Sequence, residues 1–151
     1  MARSVLRDRG ILLFINRNKF VTIDQLAEYL KVSYSVSQRR LKKLEHMGFL
    51  VSKNIFSMFL KTFFVTSKGI NFSGDNLSAI RKINLSTFQH DLVLASLLLR
   101  IEKELGIHIM TEREIQKELP HEFKHLPDGL HITEEGEYII IELELTKKSY
   151  S

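Results

Sequence analysis

The chain has 151 residues, 44% hydrophobic and 26% charged, with a net charge of +4 and no cysteine. One or two small domains fit this length, and disulfides and thiolate metal centres are excluded. No apolar run approaches the roughly 18 residues of a membrane span, and the opening Met-Ala-Arg-Ser lacks a secretory h-region. A cytoplasmic protein without membrane contact is expected.

The first predicted helix runs from Val5 to Asn16, with Leu6, Ile11, Leu12, Leu13 and Ile15 on its core side. Two short helices follow, over Thr22 to Ser33 and from Tyr34 towards Leu50, separated by a tight turn. Thr22 is placed to cap the first, and Leu26, Ala27 and Leu30 form its apolar stripe. Ser33 or Ser35 can cap the second, where Val36, Leu41 and Leu44 face inward. At about 100° per residue, Ser35, Gln38, Arg39, Lys42 and His46 cluster on the opposite side. This is the pattern of a helix-turn-helix, whose second helix lies in the DNA major groove.

Gln38 and Arg39 are the candidates for base edges, because Gln reads adenine and Arg reads guanine with paired hydrogen bonds. Tyr34 and Ser35, at the start of that helix, join the DNA-contacting set. Lys42, Lys43, Lys53 and Lys61 are candidates for phosphate contacts. Arg40 flanks the apolar stripe, where a structural role and a DNA role weigh equally.

Beyond the helix pair, Leu44-x-x-x-Gly48-Phe49-Leu50-Val51 resembles the helix-to-wing junction of winged helix-turn-helix proteins. Phe49 to Ser52 and roughly Met58 to Thr66 read as two strands, with Lys53-Asn54 near the tip between them. Phe63 to Gly69 is similar to the exit from the wing in the same families. The likeness covers about residues 4–72.

The polar, Gly-containing stretch Asn71 to Asn76 marks the predicted boundary, giving domains 1–74 and 75–151. The charge divides there too. Residues 1–74 hold 13 Lys+Arg against 4 Asp+Glu, and residues 75–151 hold 9 against 14, or +9 and −5. A basic half suits a phosphate backbone; an acidic half does not, unless a metal or a partner offsets its charge.

In the second half a long helix is predicted from about Asn84 to Leu105, capped by Asn84 or Ser86 and closed by Gly106. Leu92, Val93, Leu94, Leu97, Leu98 and Ile101 make it apolar around much of its circumference. A short strand at Ile107 to Met110 precedes a short helix, Thr111 to Glu118, with Thr111 and Glu114 as a capping box. Two further strands, Gly129 to Thr133 and Glu137 to Thr146, are joined by the turn Glu134-Glu135-Gly136. Alternation puts Ile139, Ile141, Leu143 and Leu145 on one face of the last strand, and Ile140, Glu142 and Glu144 on the other. Two carboxylates at i and i+2 lie about 7 Å apart, so a cation nearby would offset their repulsion if the strand is buried.

Pro127-Asp128 followed by Glu142-Leu143-Glu144 resembles the PD-(D/E)xK nuclease fold. Three stretches are similar to the replication-relaxation family of plasmid and mobile-element proteins: Gln89-His90-Asp91-Leu92, Leu126-Pro127-Asp128-Gly129, and Ile141 to Ser149. The resemblance implies an α+β chain in which a winged helix-turn-helix precedes a small αβββ nuclease-like domain. Asp128, Glu142, Glu144 and Lys147 are then the candidate catalytic residues, with Asp128 and Glu142 as candidate Mg²⁺ ligands. The sequence departs from active nucleases in holding Glu144 where they hold Lys. Lys147, five residues after Glu142, points to the other face of a regular strand. The chain also stops soon after this strand, which reads as a fragment or as a domain that a partner chain completes. Taken alone, Pro-Asp-Gly at 127–129 is an ordinary turn.

His90 and Asp91 diverge by roughly 100° on a helix and cannot act on one atom together. His90 is expected to pack or to make a fixed hydrogen bond. His121, His125 and His131 have no metal-ligand spacing.

The leading expectation is a sequence-specific double-stranded DNA-binding protein. Resemblance to the replication-relaxation family implies a plasmid or mobile element, a role in replication control or conjugative DNA processing, and a relaxase or replication protein as partner. Two alternatives stand beside it: a metal-dependent endonuclease directed by its winged helix, and a homodimeric transcriptional repressor with half-sites about one helical turn apart.

Overall fold

The computed structural model describes residues 2–55 and 60–145. The first helix, α1 (Arg3–Arg17), buries Ile11, Leu12, Phe14 and Ile15 on its inner side. Each such side chain contributes roughly 1.5–3 kcal/mol when removed from water. Leu6 and Leu13, expected on the core side, are 58% and 40% exposed, because they fall on the outward stripe with Gly10. The two-residue strand β1 (Val21–Thr22) leads directly into α2 (Ile23–Leu30). Thr22 Oγ1 accepts from the Gln25 amide and Gln25 Oε1 accepts from the Thr22 amide, a reciprocal cap. α2 stops at Lys31, which takes a left-handed φ of 55°.

Ser33 then caps α3 (Tyr34–His46) by accepting from the Val36 amide, which selects it over Ser35. Leu41 and Leu44 seat α3 in the core. So does Ser37, fully buried, whose hydroxyl donates to the Ile23 carbonyl at 2.8 Å and ties α3 to the start of α2.

β2 (Leu50–Ile55) and β3 (Leu60–Val65) form an antiparallel hairpin, and β1 joins the other side of β3. Lys53 and Asn54, expected at the tip, lie within β2 opposite Thr62 and Lys61. The connecting residues 56–59, including the Met58 expected to open the second strand, lie outside the described residues. α4 (Ser67–Ser73) follows β3 directly, so part of the stretch read as a linker is helical. Thr66 caps it by accepting from the Gly69 amide at 3.1 Å.

Gly69 is where the helices and the hairpin meet. A Cβ there would lie 2.4 Å from the Phe49 carbonyl oxygen and 2.7 Å from Val65 Cγ1. Around it the Thr66 amide donates to the Phe49 carbonyl at 3.0 Å, and the Thr66 hydroxyl to the Gly48 carbonyl at 2.7 Å. Lys68 Nζ donates to the Met47 carbonyl at 2.9 Å, at the negative end of α3, and lies 5.4 Å from the centre of the Phe49 ring. Phe49 in turn stacks on Phe72 at 4.4 Å. These contacts join the end of α3, the start of β2, the end of β3 and α4.

Residues 75–84 pack with these elements, and the first compact unit is Met1–Asn84. The fully buried Asn16 holds this segment: its Nδ2 donates to Asp75 Oδ2 and to the carbonyls of Leu77 and Ser78, at 3.0 to 3.3 Å.

The second unit, Leu85–Ser151, begins with α5 (Phe88–Leu105). Neither Asn84 nor Ser86 caps it. Thr87 occupies the cap position and its hydroxyl donates instead to Asp91 Oδ2 at 3.1 Å. Gly106 closes the helix with φ 63°. β4 (Met110–Thr111) leads into α6 (Glu112–Glu118), whose Thr111–Glu114 capping box is present. β5 (Gly129–Ile132) pairs with β4 and with β6 (Tyr138–Ile141), giving the order β4-β5-β6. One sheet face packs Ile141 and Leu143 against Leu94, Leu98 and Ile109. The other packs Leu130 with Met110 and Ile115. At Gly129 a Cβ would sit 3.0 Å from both Leu98 Cδ2 and Ile109 Cγ2, so the side chains of Leu98 on α5 and of Ile109 pack directly on the backbone of β5. No helix among the described residues is long and apolar enough to cross a membrane.

Two glycines give opposite predictions. Gly69→Ala must displace backbone and is expected to destabilise the first unit by about 3 kcal/mol, at or above the usual cost of overpacking. Gly10 lies inside α1 with open space around it, so Gly10→Ala is expected to stabilise by roughly 0.5–1 kcal/mol. Thermal denaturation of both variants reads the two signs.

Candidate functional site

The outward side of α3 carries the residues singled out from the sequence. Tyr34, Ser35, Arg39, Lys42, Lys43 and His46 are exposed, while Gln38 and Arg40 are partly buried. Glu45 is the only carboxylate in α3. Since Ser37, Leu41 and Leu44 fix the opposite side, the cationic face is held in one orientation. The unit Met1–Asn84 carries 15 Lys+Arg against 5 Asp+Glu.

The hairpin adds two lysines, and the register separates them. Lys53 is opposite Thr62, on the face of Val51 and Phe64; Lys61 is opposite Asn54, on the face of Ser52 and Phe63. Each rests on the aromatic ring of its own face, Lys53 Nζ 5.7 Å from the Phe64 centre and Lys61 Nζ 5.6 Å from that of Phe63. Both distances suit a cation–π contact. The two lysines therefore project from opposite sides of one ribbon.

The second unit brings Asp128 and His90 together. Asp128 Oδ2 accepts from the Leu143 amide at 2.8 Å and lies 3.3 Å from His90 Nε2. His90 Nε2 is also 3.0 Å from the Leu143 carbonyl. A carbonyl can only accept, so Nε2 carries the proton. His90 Nδ1 is 3.8 Å from Asp91 Oδ1. One backbone position, Leu143, is thus held at both its amide and its carbonyl by two side chains distant in sequence. This explains why β6 ends at Ile141, short of the predicted Thr146: the next odd-numbered amide bonds a carboxylate rather than a strand.

Glu142 and Glu144 are exposed and lie beyond the end of β6, so no regular strand places them on one face with Ile140. Lys147 lies outside the described residues. Among the described residues, no group of three or more His, Asp or Glu side chains is arranged to hold a metal ion. His131 Nδ1 donates to the His108 carbonyl at 2.9 Å, which ties β5 to the residue before Ile109.

Sequence reasoning paired Asp128 with Glu142 and missed its contact with His90. The Gln89-His90-Asp91-Leu92 and Leu126-Pro127-Asp128-Gly129 stretches were the available signal. Comparison with protein-family models, with curated proteins and with solved structures gave no match.

Asp128→Ala leaves the Leu143 amide without its carboxylate and is expected to cost roughly 1–3 kcal/mol. Asp128→Asn retains an accepting oxygen and should cost less. Amide hydrogen exchange at Leu143 should accelerate in the alanine variant; unchanged exchange there would mean that this bond does not anchor the segment.

Proposed function

We propose that this protein binds double-stranded DNA sequence-specifically. In this reading α1, α2, α3 and the β2–β3 hairpin act as a winged helix-turn-helix, with α3 in the major groove. The observation that carries it is the exposed cationic side of α3, with Arg39, Lys42 and Lys43, opposite a buried side fixed by Ser37, Leu41 and Leu44. Gln38 and Arg39 meet base edges, Lys42 and Lys43 meet phosphates, and the hairpin lysines add backbone contacts. The likeness of three sequence stretches to the replication-relaxation family supports a plasmid or mobile-element setting, in replication control or conjugative DNA processing. The second unit then serves assembly or regulation.

Selection from random or native plasmid DNA by the full chain would return the site and its symmetry. Binding to the selected site should weaken steeply as salt rises, because neutralised phosphates release counterions. Arg39→Ala and Gln38→Ala should each reduce discrimination by roughly 1–3 kcal/mol, whereas Lys53→Ala should weaken specific and non-specific binding alike. An unchanged specificity ratio in both α3 variants would show that this helix does not read bases.

The same selected DNA, incubated with protein and Mg²⁺ or Mn²⁺, is expected to remain uncut. Glu144 stands where the resembling nucleases hold Lys, and a carboxylate there has the wrong sign to stabilise developing negative charge. Cleavage that disappears in Asp128→Ala and Glu142→Ala would favour the endonuclease instead.

A further inference from the structure

We infer that the outer edge of β6 docks a basic, apolar segment of a partner protein as an added strand. β6 is the last strand of the order β4-β5-β6, and among the described residues nothing pairs with its outer edge. Its residues are Tyr-Ile-Ile-Ile, and Tyr138, Ile139 and Ile140 are 43%, 50% and 51% exposed. Ile139 and Ile140 point to opposite faces of the sheet, so apolar surface is open on both. Free edges are ordinarily blunted by Lys, Pro or a bulge. β6 contains neither residue, and its pairing with β5 is unbroken from Tyr138 to Ile141.

Charge identifies the occupant. Glu134, Glu135, Glu137, Glu142 and Glu144 are all exposed around this strip, and residues 126–145 contain no Lys or Arg. A DNA backbone is repelled by this rim. A second copy would bring the same acidic rim to the shared edge, with no Lys or Arg between 126 and 145 to meet it, and like charges across a ladder destabilise it. An extended segment alternating Lys or Arg with β-branched residues satisfies all three features. Its backbone completes the ladder, its apolar side chains cover Ile139 or Ile140, and its cations meet the rim.

The test uses the full chain and a fluorescently labelled, amidated peptide alternating Lys and Val, read by anisotropy. The peptide should bind, and the double variant Glu142→Lys/Glu144→Lys should weaken binding by about tenfold. Ile139→Ser/Ile140→Ser should do the same. A Glu–Val peptide, and a Lys–Val peptide interrupted by Pro, should bind at least about tenfold more weakly than the uninterrupted Lys–Val peptide. Circular dichroism checks that each variant is folded; should the isoleucine variant unfold, the exposed glutamate variant decides. Absence of binding, or equal binding of the Pro-interrupted peptide, would overturn the proposal. So would a dimer in sedimentation equilibrium that Ile139→Ser/Ile140→Ser dissolves, since a second copy would then occupy the edge.

Discussion

A side chain at position 69 would occupy the space of the Phe49 carbonyl, and the first unit depends on that vacancy. Because the two backbones meet there, Thr66 reaches the Gly48 and Phe49 carbonyls and Lys68 reaches that of Met47. These bonds satisfy the carbonyls of Met47, Gly48 and Phe49, where the chain leaves α3 for β2. They also fix the angle at which the hairpin leaves α3. In the proposed complex, α3 and the hairpin can act on one duplex only if that angle is constant, so the proposed roles of Arg39 and Lys53 rest on an interior contact that neither residue touches.

The second unit uses a comparable device with side chains in place of backbone. Asp128, at the entry to β5, accepts from Leu143, while His90 on α5 donates to the same residue's carbonyl. A helix, a strand entry and the chain beyond β6 are thereby joined through one peptide position. Residues 142–145 are anchored through one of the two carboxylate oxygens of Asp128, Oδ2.

Signals confined to a few residues were legible in the sequence. The capping residues Thr22, Ser33 and Thr111, the stop at Gly106 and the turn at Glu134-Glu135-Gly136 depend on neighbours within one turn, and the structure has each of them. So does the polarity of α3, which follows from helical periodicity. What escaped was decided by distant partners. Asn16 draws residues 75–78 onto α1, across a stretch whose composition reads as a linker. α4 is short and contains Gly69, a poor helix former whose place is set by Phe49. Lys53 and Asn54 read as turn residues, yet pairing with Thr62 and Lys61 carries β2 past them. For the candidate site, the helix face of Gln38 and Arg39 was legible, whereas the meeting of His90, Asp128 and Leu143 required the tertiary structure.

The placement of Lys53 and Lys61 bears on how the ribbon could lie against a duplex. With one ammonium on each face, a hairpin laid flat on a single backbone would turn one of them to solvent. Both are used only when the ribbon stands on edge, with a row of phosphates on either side. In the proposed complex the hairpin is therefore a wedge between two backbones, with each lysine rooted on a ring that is itself buried in the first unit.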